Sequence, residues 1–210
     1  MMMGASKHTD FILVQLTAEP GATGVAARAT LASRFAHFCE QSALPLRLHR
    51  VAWSASTQTA YCYARLVTPT LLAATDLSPM NDWWAPEGEG FSTVRISRLE
   101  TVFEAAGRSA GASAAFHYVV EMDPEEGWMP EISRWYDEEH MPGLAAVEGC
   151  ILALRLLNHD HGPHSLACYD LVTDQALTSP PWLAVRATAW SDITRPHFTN
   201  TIRTMFESKA

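Results

Sequence analysis

An internal repeat of about 105 residues constrains the fold of this 210-residue chain more than any other feature of its sequence. The triplet Leu66-Val67-Thr68 recurs as Leu171-Val172-Thr173, 105 positions later, and each copy follows an apolar run that contains Cys and Tyr. Phe11 and Phe116 open two further apolar runs at the same offset, and segment 99–104 resembles 202–207 at an offset of 103. Three matches in the same order indicate a duplicated structural unit.

Each half of the chain shows the same order of predicted elements: strand, helix, strand, strand, helix, strand. The predicted strands are 11–16, 46–53, 60–67 and 93–103 in the first half, and 116–122, 151–157, 165–171 and 198–206 in the second. The first helix of each half carries apolar residues three and four positions apart, namely Leu31, Phe35 and Phe38 after a capping Thr23, and Trp128, Ile132 and Trp135. The second helix is short, beginning at Pro69 in the first half and spanning 182–190 in the second.

This order is the ferredoxin-like βαββαβ motif, an antiparallel sheet with helices on one face only. The bare face of the sheet needs a cover, and a second copy of the unit can supply it. We therefore expect an α+β fold in which two tandem ferredoxin-like repeats form a pseudo-dimeric α/β barrel with antiparallel sheets. The predicted domains are 1–104 and 115–210, joined by a linker of small residues over 105–114.

Charge and cysteine content narrow the class of function. The formal net charge is −8 and no run of Lys or Arg occurs, which argues against nucleic acid or an anionic membrane as a partner. No apolar stretch reaches the roughly 18 residues that span a bilayer, and residues 1–10 lack the apolar core of a signal peptide. The four cysteines form no C-x-x-C pair, which favours buried, reduced thiols in a cytoplasmic protein.

Motifs for nucleotide binding, serine hydrolysis and zinc peptidase chemistry are absent from the sequence. We therefore expect a small-molecule substrate, no cofactor and no metal. His159, His161 and His164 crowd one turn with Asp160, and their spacing permits metal capture. The Gly-Pro turn between them favours solvated side chains instead.

The densest cluster of ionisable residues is 135–143, at the end of the first helix of the second half. Met141 precedes a proline, which predicts that the helix stops near His140. A His in a last helical turn feels the negative end of the helix dipole, which favours its protonated form. Tyr136 and Asp137 lie four and three positions before His140, so the three can share a helix face. His140 is then a proton carrier oriented by Asp137 or Glu139; alternatively it is a helix cap and the acids are a solvated face.

Three further positions are candidates for the same site. Arg155 lies in an apolar strand, where it either holds a substrate anion or pairs with Glu139. His197 precedes the last strand and stands either at a barrel mouth or at a strand edge. His117 and Glu121 share one face of their strand, so they join the site only if that face looks into the barrel.

The segment Trp135–Gly149 resembles the W-Y-x-x-E-H-[IM]-P-x-L segment of dimeric α/β-barrel proteins, and most closely the EthD-like group. Segments 162–169 and 195–198 resemble the same proteins, so the resemblance covers about 116–206. The first half lacks the motif, since His140 corresponds to Phe35 at an offset of 105. The superfamily includes cofactor-independent monooxygenases, muconolactone isomerases, polyketide cyclases and haem enzymes. The resemblance implies the barrel fold and a cavity-facing His140.

Together these features predict a cofactor-independent enzyme of the lyase, isomerase or decarboxylase type. His140 moves a proton on an apolar cyclic or aromatic substrate, and Tyr136, Arg155 or His197 stabilises negative charge on oxygen. Trp135, Glu139 and His117 are the expected substrate-binding residues. The alternatives are a cofactor-free monooxygenase, a non-catalytic ligand-binding barrel and a haem protein. The barrel either forms within one chain or accompanies a homodimer.

Overall fold

The computed structural model describes residues 6–18, 24–84 and 91–208. The predicted capping residue Thr23, like residues 1–5 of the N-terminal segment, lies outside the described residues. Within these ranges the strands are β1 (Lys7–Ala18), β2 (Leu46–Ser54), β3 (Thr59–Leu72), β4 (Phe91–Ala106), β5 (Phe116–Pro124), β6 (Cys150–Asn158), β7 (Ser165–Leu171) and β8 (Phe198–Ser208). The α-helices are α1 (Gly24–Gln41), α2 (Ser78–Trp83), α3 (Met129–Trp135), α4 (Met141–Ala145), α5 (Pro180–Arg186) and α6 (Ala189–Thr194). Single 3₁₀ turns lie at Ala74–Leu77, Asp174–Thr178 and Arg195–His197, and a π turn lies at Tyr136–His140.

The strands form one closed antiparallel barrel in the order β1-β3-β2-β8-β5-β7-β6-β4, with β4 returning to β1. Starting from β4, the first half contributes its strands in the order fourth, first, third, second, and the second half repeats that order. The halves meet where β2 pairs with β8, through Ala52 opposite Ser208, and where β4 pairs with β6. The predicted α+β barrel of two ferredoxin-like repeats is confirmed.

Side chains fill the barrel, and a separate core lies under the helices of each half. Strand alternation sends one set of apolar residues inward from both halves, including Phe11, Leu13, Tyr61, Tyr63, Leu99, Val119, Leu154, Leu166 and Phe206. The opposite faces pack against helices, around Phe35 and Trp84 in the first half and around Trp135 and Trp182 in the second. The barrel interior and the helix-covered faces are therefore distinct places for a site.

The short second helices differ from their predicted positions. Pro69 lies inside β3 rather than at a helix start. The β1–β3 register shifts between Thr70 and Arg65, so the pairing with β1 does not require an N–H donor at position 69. The helix that follows is α2, nine residues later. In the second half the predicted helix 182–190 is two helices, and α6 begins where the Thr188 side chain accepts a hydrogen bond from the Ser191 N–H at 3.1 Å.

The predicted linker is held against the second half of the chain. The Gly107 N–H donates to the Ile151 carbonyl oxygen at 2.8 Å, and the Ser109 N–H donates to that of Cys150 at 2.8 Å. A Cβ at position 107 would lie 2.2 Å from the Cys150 oxygen, so only glycine fits this approach. The domain boundaries at 104 and 115 stay a prediction.

The helix of the motif does not stop at His140, as Met141-Pro142 had predicted. Helix α3 continues through the π turn into α4, and Met141 keeps helical angles (φ −66°, ψ −46°). Pro142 has no N–H, and its ring would clash with the carbonyl four residues earlier in a regular α-helix. The wider π turn relieves this clash, and the Met141 N–H reaches back five residues to the Tyr136 oxygen. The proline thus widens the helix beside the candidate site.

All four cysteines are free and buried, as the sequence predicted. None of the helices that the structure describes combines the length and apolar character needed to cross a bilayer.

Candidate active site

A small cavity lies between the helices of the second half and the outer face of β5, β7 and β8. Its volume is about 30 Å³. It is lined by aromatic and aliphatic side chains together with His140 and three arginines, namely Tyr118, Val120, Trp135, Tyr136, His140, Leu144, Tyr169, Trp182, Arg186, Arg195, Phe198 and Arg203. The predicted residues Trp135, Tyr136 and His140 therefore meet at one cavity.

His140 is the buried base at this cavity. Its ring stacks on Trp135, with centroids 4.1 Å apart and planes 25° apart, and meets the edge of Tyr136 at 5.6 Å. Neither ring nitrogen has a hydrogen-bond partner among the described residues, and Nδ1 is fully buried. Burial, aided by the positive charges of Arg195 and Arg186, lowers the pKa of His140 to about 3. The protonated form that the helix dipole predicted is wrong, because desolvation outweighs the dipole.

The carboxylates expected to orient His140 bind elsewhere. Asp137 lies 3.6 Å from Nη1 of Arg155, and Glu139 accepts a hydrogen bond from the Thr188 hydroxyl at 2.6 Å. The expectation that one of them orients His140 is wrong in this structure. The spacing rule behind it assumes a regular α-helix, whereas the π turn between positions 136 and 140 changes which side chains share a face.

Arg155 lies directly behind Tyr136. It is 1% exposed, and its guanidinium sits 4.7 Å from the centre of the Tyr136 ring. Its nitrogens donate to the hydroxyl oxygens of Ser133 at 3.1 Å and Ser165 at 3.4 Å. The predicted partner Glu139 is wrong, since the acid that Arg155 meets is Asp137. Burial lowers the pKa of Arg155, yet a guanidinium stays charged at any physiological pH. Arg155 is therefore placed to position Tyr136.

No family model matches this chain, and no curated protein matches it. Three solved structures resemble it over nearly its whole length. An anthrone oxidase-like protein superposes with a TM-score of 0.62 at 13% identity, over 97% of this chain and 92% of that one. A protein provisionally named a monooxygenase from Lactobacillus acidophilus gives 0.62 at 10% identity, over 97% and 95% of the two chains. A similarly named protein from Fusobacterium nucleatum gives 0.59 at 9% identity, over 96% and 94%.

This chain has the dimeric α/β-barrel fold. The closed barrel and its repeated strand order carry that conclusion, and the three likenesses agree with it. At these identities the likenesses bear on the fold and not on the activity. None of the three proteins is named as EthD-like, so that finer resemblance stays a prediction.

His197 does not line the His140 cavity. Its ring stacks on Trp128 with centroids 3.3 Å apart, and its Nδ1 lies 2.5 Å from a carboxylate oxygen of Glu125. These contacts anchor the start of β8 to the segment before α3. In this arrangement His197 is separate from the cavity, where we had expected a second polar group.

His117 and Glu121 face the barrel interior, on the side of β5 opposite the cavity. Nδ1 of His117 hydrogen-bonds Asp170 at 2.7 Å, and Glu121 accepts a hydrogen bond from the Tyr61 hydroxyl at 2.7 Å. Burial lowers the pKa of His117, although the hydrogen bond and the charge of Asp170 oppose the shift. The sequence predicted that these two residues share a face of β5. Only the closed barrel shows that the His140 cavity lies on the other face.

The histidine turn of 158–164 makes no common site. His159 lies 3.1 Å from Glu100, Asp160 binds Arg98, and Nδ1 of His164 lies 2.9 Å from the Asn158 carbonyl oxygen. Within the described ranges, no three His, Cys, Asp or Glu side chains converge as metal ligands do.

Sequence reasoning missed the three arginines of the cavity. Arg186 ends α5, Arg195 lies in the turn before β8, and Arg203 lies on the helix-facing side of β8. Their signal was present in part, because Arg195 sits in the segment 195–198 that carries the family resemblance. Thr204 and Phe206 of β8 face the barrel interior, so strand alternation places Arg203 on the opposite face, toward the helices.

Proposed function

We propose that this chain is a cofactor-independent enzyme in which His140 takes a proton from an apolar cyclic or aromatic substrate. The observation that carries the proposal is the unpaired His140 imidazole at a small cavity lined by aromatic side chains. A neutral imidazole offers one basic nitrogen, and a His within reach of substrate is the commonest general base in enzymes. Buried polar groups without partners are rare in folded proteins, and an enzyme site is one of the accepted reasons for them.

Tyr136 supplies the second chemical group of the proposal. Burial raises the pKa of its phenol, so the hydroxyl stays protonated and can donate to a developing oxyanion. Arg155 packs against the Tyr136 ring and fixes its position, while the Trp135 indole covers one face of His140. Proton removal by His140 and hydrogen bonding by Tyr136 would together stabilise an enolate-like anion of the substrate.

Substrate entry requires side chains to move. A cavity of about 30 Å³ has room for about one water molecule, whereas ligand sites typically measure about 300–1,000 Å³. Arg203 is exposed, and Arg186 and Arg195 are half-buried, so their side chains are the parts of the wall that can move outward. Closure of such a wall over the substrate would exclude water during proton transfer.

The fate of the substrate anion separates two classes of enzyme. A lyase, isomerase or decarboxylase would return a proton to it without an oxidant. A cofactor-free monooxygenase would let it react with dioxygen, so that a ring methylene plus O₂ gives a ring ketone plus water, with both methylene hydrogens leaving in the water. We favour oxygenation because the aromatic side chains of the cavity suit a planar, delocalised carbanion, and because the similar structures carry anthrone oxidase-like and monooxygenase names.

The test is turnover of ring ketones with an acidic methylene group, followed by oxygen uptake and product mass under air and under argon. We expect conversion under air with one O₂ consumed per product. His140→Asn should lower kcat by about 10²- to 10⁴-fold. His197→Asn is the matched control, because His197 does not line the cavity, and it should keep wild-type turnover.

Three other results are informative. Conversion under argon would favour the lyase or isomerase class over the oxygenase. Full activity in His140→Asn would contradict the assignment of the base. Ligand binding without turnover under either atmosphere would favour a non-catalytic binding barrel.

A further inference from the structure

We infer that Arg186, Arg195 and Arg203 form an anion-binding site that holds a carboxylate of an aromatic ligand in the His140 cavity. The inference rests on the proposed function only in treating that ligand as the substrate. Its evidence is the placement, the partners and the surroundings of these three side chains.

The three arginines converge from separate elements. Arg186 comes from the end of α5, Arg195 from the turn after α6, and Arg203 from β8, yet all three line one cavity. The Arg195 guanidinium donates to the Arg186 carbonyl oxygen at 3.4 Å, so those two are also linked through the backbone. Three like charges around a small cavity repel one another unless an anion joins them.

No carboxylate in the described part of the chain lies within 4.0 Å of these three guanidinium groups. Asp192 contributes a favourable charge to Arg195 but lies beyond that distance. Other arginines of the same chain do have an acidic partner within 4.0 Å, namely Arg50, Arg65, Arg98, Arg108, Arg134 and Arg155. The cavity therefore concentrates positive charge that no described acid of the chain neutralises, in a protein whose net charge is −8.

Two residues that line the cavity carry buried polar atoms without hydrogen-bond partners. The Trp135 indole Nε1 and the His140 Nδ1 are buried without a hydrogen-bond partner among the described residues. Trp135 is 1% exposed and His140 is 8% exposed, so bulk water does not compensate for the missing hydrogen bonds. The wall of the cavity therefore includes two residues whose polar groups are unsatisfied by the described part of the chain.

The lining decides the chemical class of the ligand. Tyr118, Tyr169, Trp182 and Phe198 present aromatic surface, which suits a planar ring. A guanidinium matches a carboxylate through two parallel hydrogen bonds, whereas a neutral amide offers only one acceptor atom. The combination fits an aromatic carboxylate, with its ring toward Trp182 and Phe198 and its anionic end toward the arginines.

The experiment compares 2-naphthoate with 2-naphthamide, which share a ring and differ in charge. Binding to the full chain is measured by calorimetry, and by the NMR signal of the Trp135 indole N–H. We expect naphthoate to bind about ten-fold more tightly than naphthamide, since hydrogen bonds to charged groups are the stronger ones. In Arg203→Gln that preference should fall to about three-fold or less.

Arg108→Gln is the matched control, because Arg108 is exposed, pairs with Glu148 and does not line the cavity. It should keep the full preference for naphthoate. Equal affinities for the two probes, an equal loss in both variants, or no binding of either probe would each overturn the inference. Arg203 is exposed, so its substitution leaves the core intact, and circular dichroism verifies the fold.

The anion site and the proposed enzyme activity are tested by separate measurements, namely ligand binding and turnover. The naphthoate preference is measured on wild type and Arg203→Gln, and turnover is measured on wild type and His140→Asn. A naphthoate preference without any turnover would support the anion site and contradict the proposed enzyme. Turnover that depends on His140, without a naphthoate preference, would do the reverse.

Discussion

Asp170 on β7 forms an ion pair with Arg50 on β2 inside the barrel, and it thereby links the second half of the chain to the first. The same carboxylate hydrogen-bonds Nδ1 of His117 at 2.7 Å, and Nε2 of His117 lies 3.3 Å from the Tyr63 hydroxyl. Burial opposes ionisation of Asp170, but His117 and Arg50 hold its pKa below the usual range. This network pairs charged groups of the two halves inside the barrel.

Asp170→Asn should destabilise the barrel strongly. The Arg50 charge would lose its counter-ion in a buried place, and breaking one side of a buried pair costs about 3–5 kcal/mol. The measurement is the free energy of unfolding in urea. Glu148→Gln, which breaks the exposed pair with Arg108, should leave stability unchanged. Equal losses of unfolding free energy in the two variants would show that the interior ion pair stabilises the fold no more than the exposed pair does.

Stability should fall as the pH drops through the acidic range, partly because of His140. Its folded pKa of about 3 lies below the unfolded value of about 6.5, so between these values the unfolded chain binds more protons. The free energy of unfolding therefore rises with pH in that window, by up to about 1.4 kcal/mol per unit from this group. His140→Gln should show a shallower slope between pH 4 and 6. His49, whose pKa burial lowers to about 4, keeps its own contribution in both proteins.

Trp135→Leu should raise the pKa of His140 toward its usual value. Burial is the main cause of the lowered pKa, and a smaller side chain at 135 admits water to the imidazole. The titration of the His140 ring protons by NMR measures the shift. Trp128→Leu is the control, because Trp128 stacks on His197 instead. An unchanged His140 titration in Trp135→Leu would mean that other neighbours keep the ring dry.

Arg155→Ala should lower the free energy of unfolding by about 3–5 kcal/mol, because it leaves a cavity and removes the hydrogen-bond partner of the buried Ser165 and half-buried Ser133 hydroxyl groups. It should also lower kcat of the proposed reaction, since Tyr136 loses its support, while KM changes less. Arg134→Ala removes an exposed arginine from α3, the helix that carries Ser133, and should change stability by less than about 0.5 kcal/mol. Comparable losses in both variants would contradict the buried role of Arg155.

Much of the fold could be predicted because it depends on local patterns. The repeat at an offset of 105 and the alternation of apolar residues predicted the βαββαβ units and the closed barrel, and both are confirmed. The exceptions have local geometric causes. Pro69 falls in a register shift of the β1–β3 pair, and Pro142 is accommodated by a π turn. A rule for regular strands or helices does not describe either place.

The candidate site could be predicted only in part. Trp135, Tyr136 and His140 meet at the cavity because they are close in sequence and on one helix. Asp137, Glu139 and His197 have other partners. The arginines of the cavity come from three elements, and no spacing along the chain indicates that they meet.

By itself, the sequence determined the duplicated unit, the antiparallel barrel and the helix that carries His140, because each depends on periodicity over a few neighbouring residues. Only the tertiary structure decided which side of β5 faces the barrel, and so put His117 and His140 on opposite sides of one sheet. It also decided the charge state of His140. Burial and two arginines distant in sequence outweigh the local helix dipole, because desolvation depends on everything packed around a group.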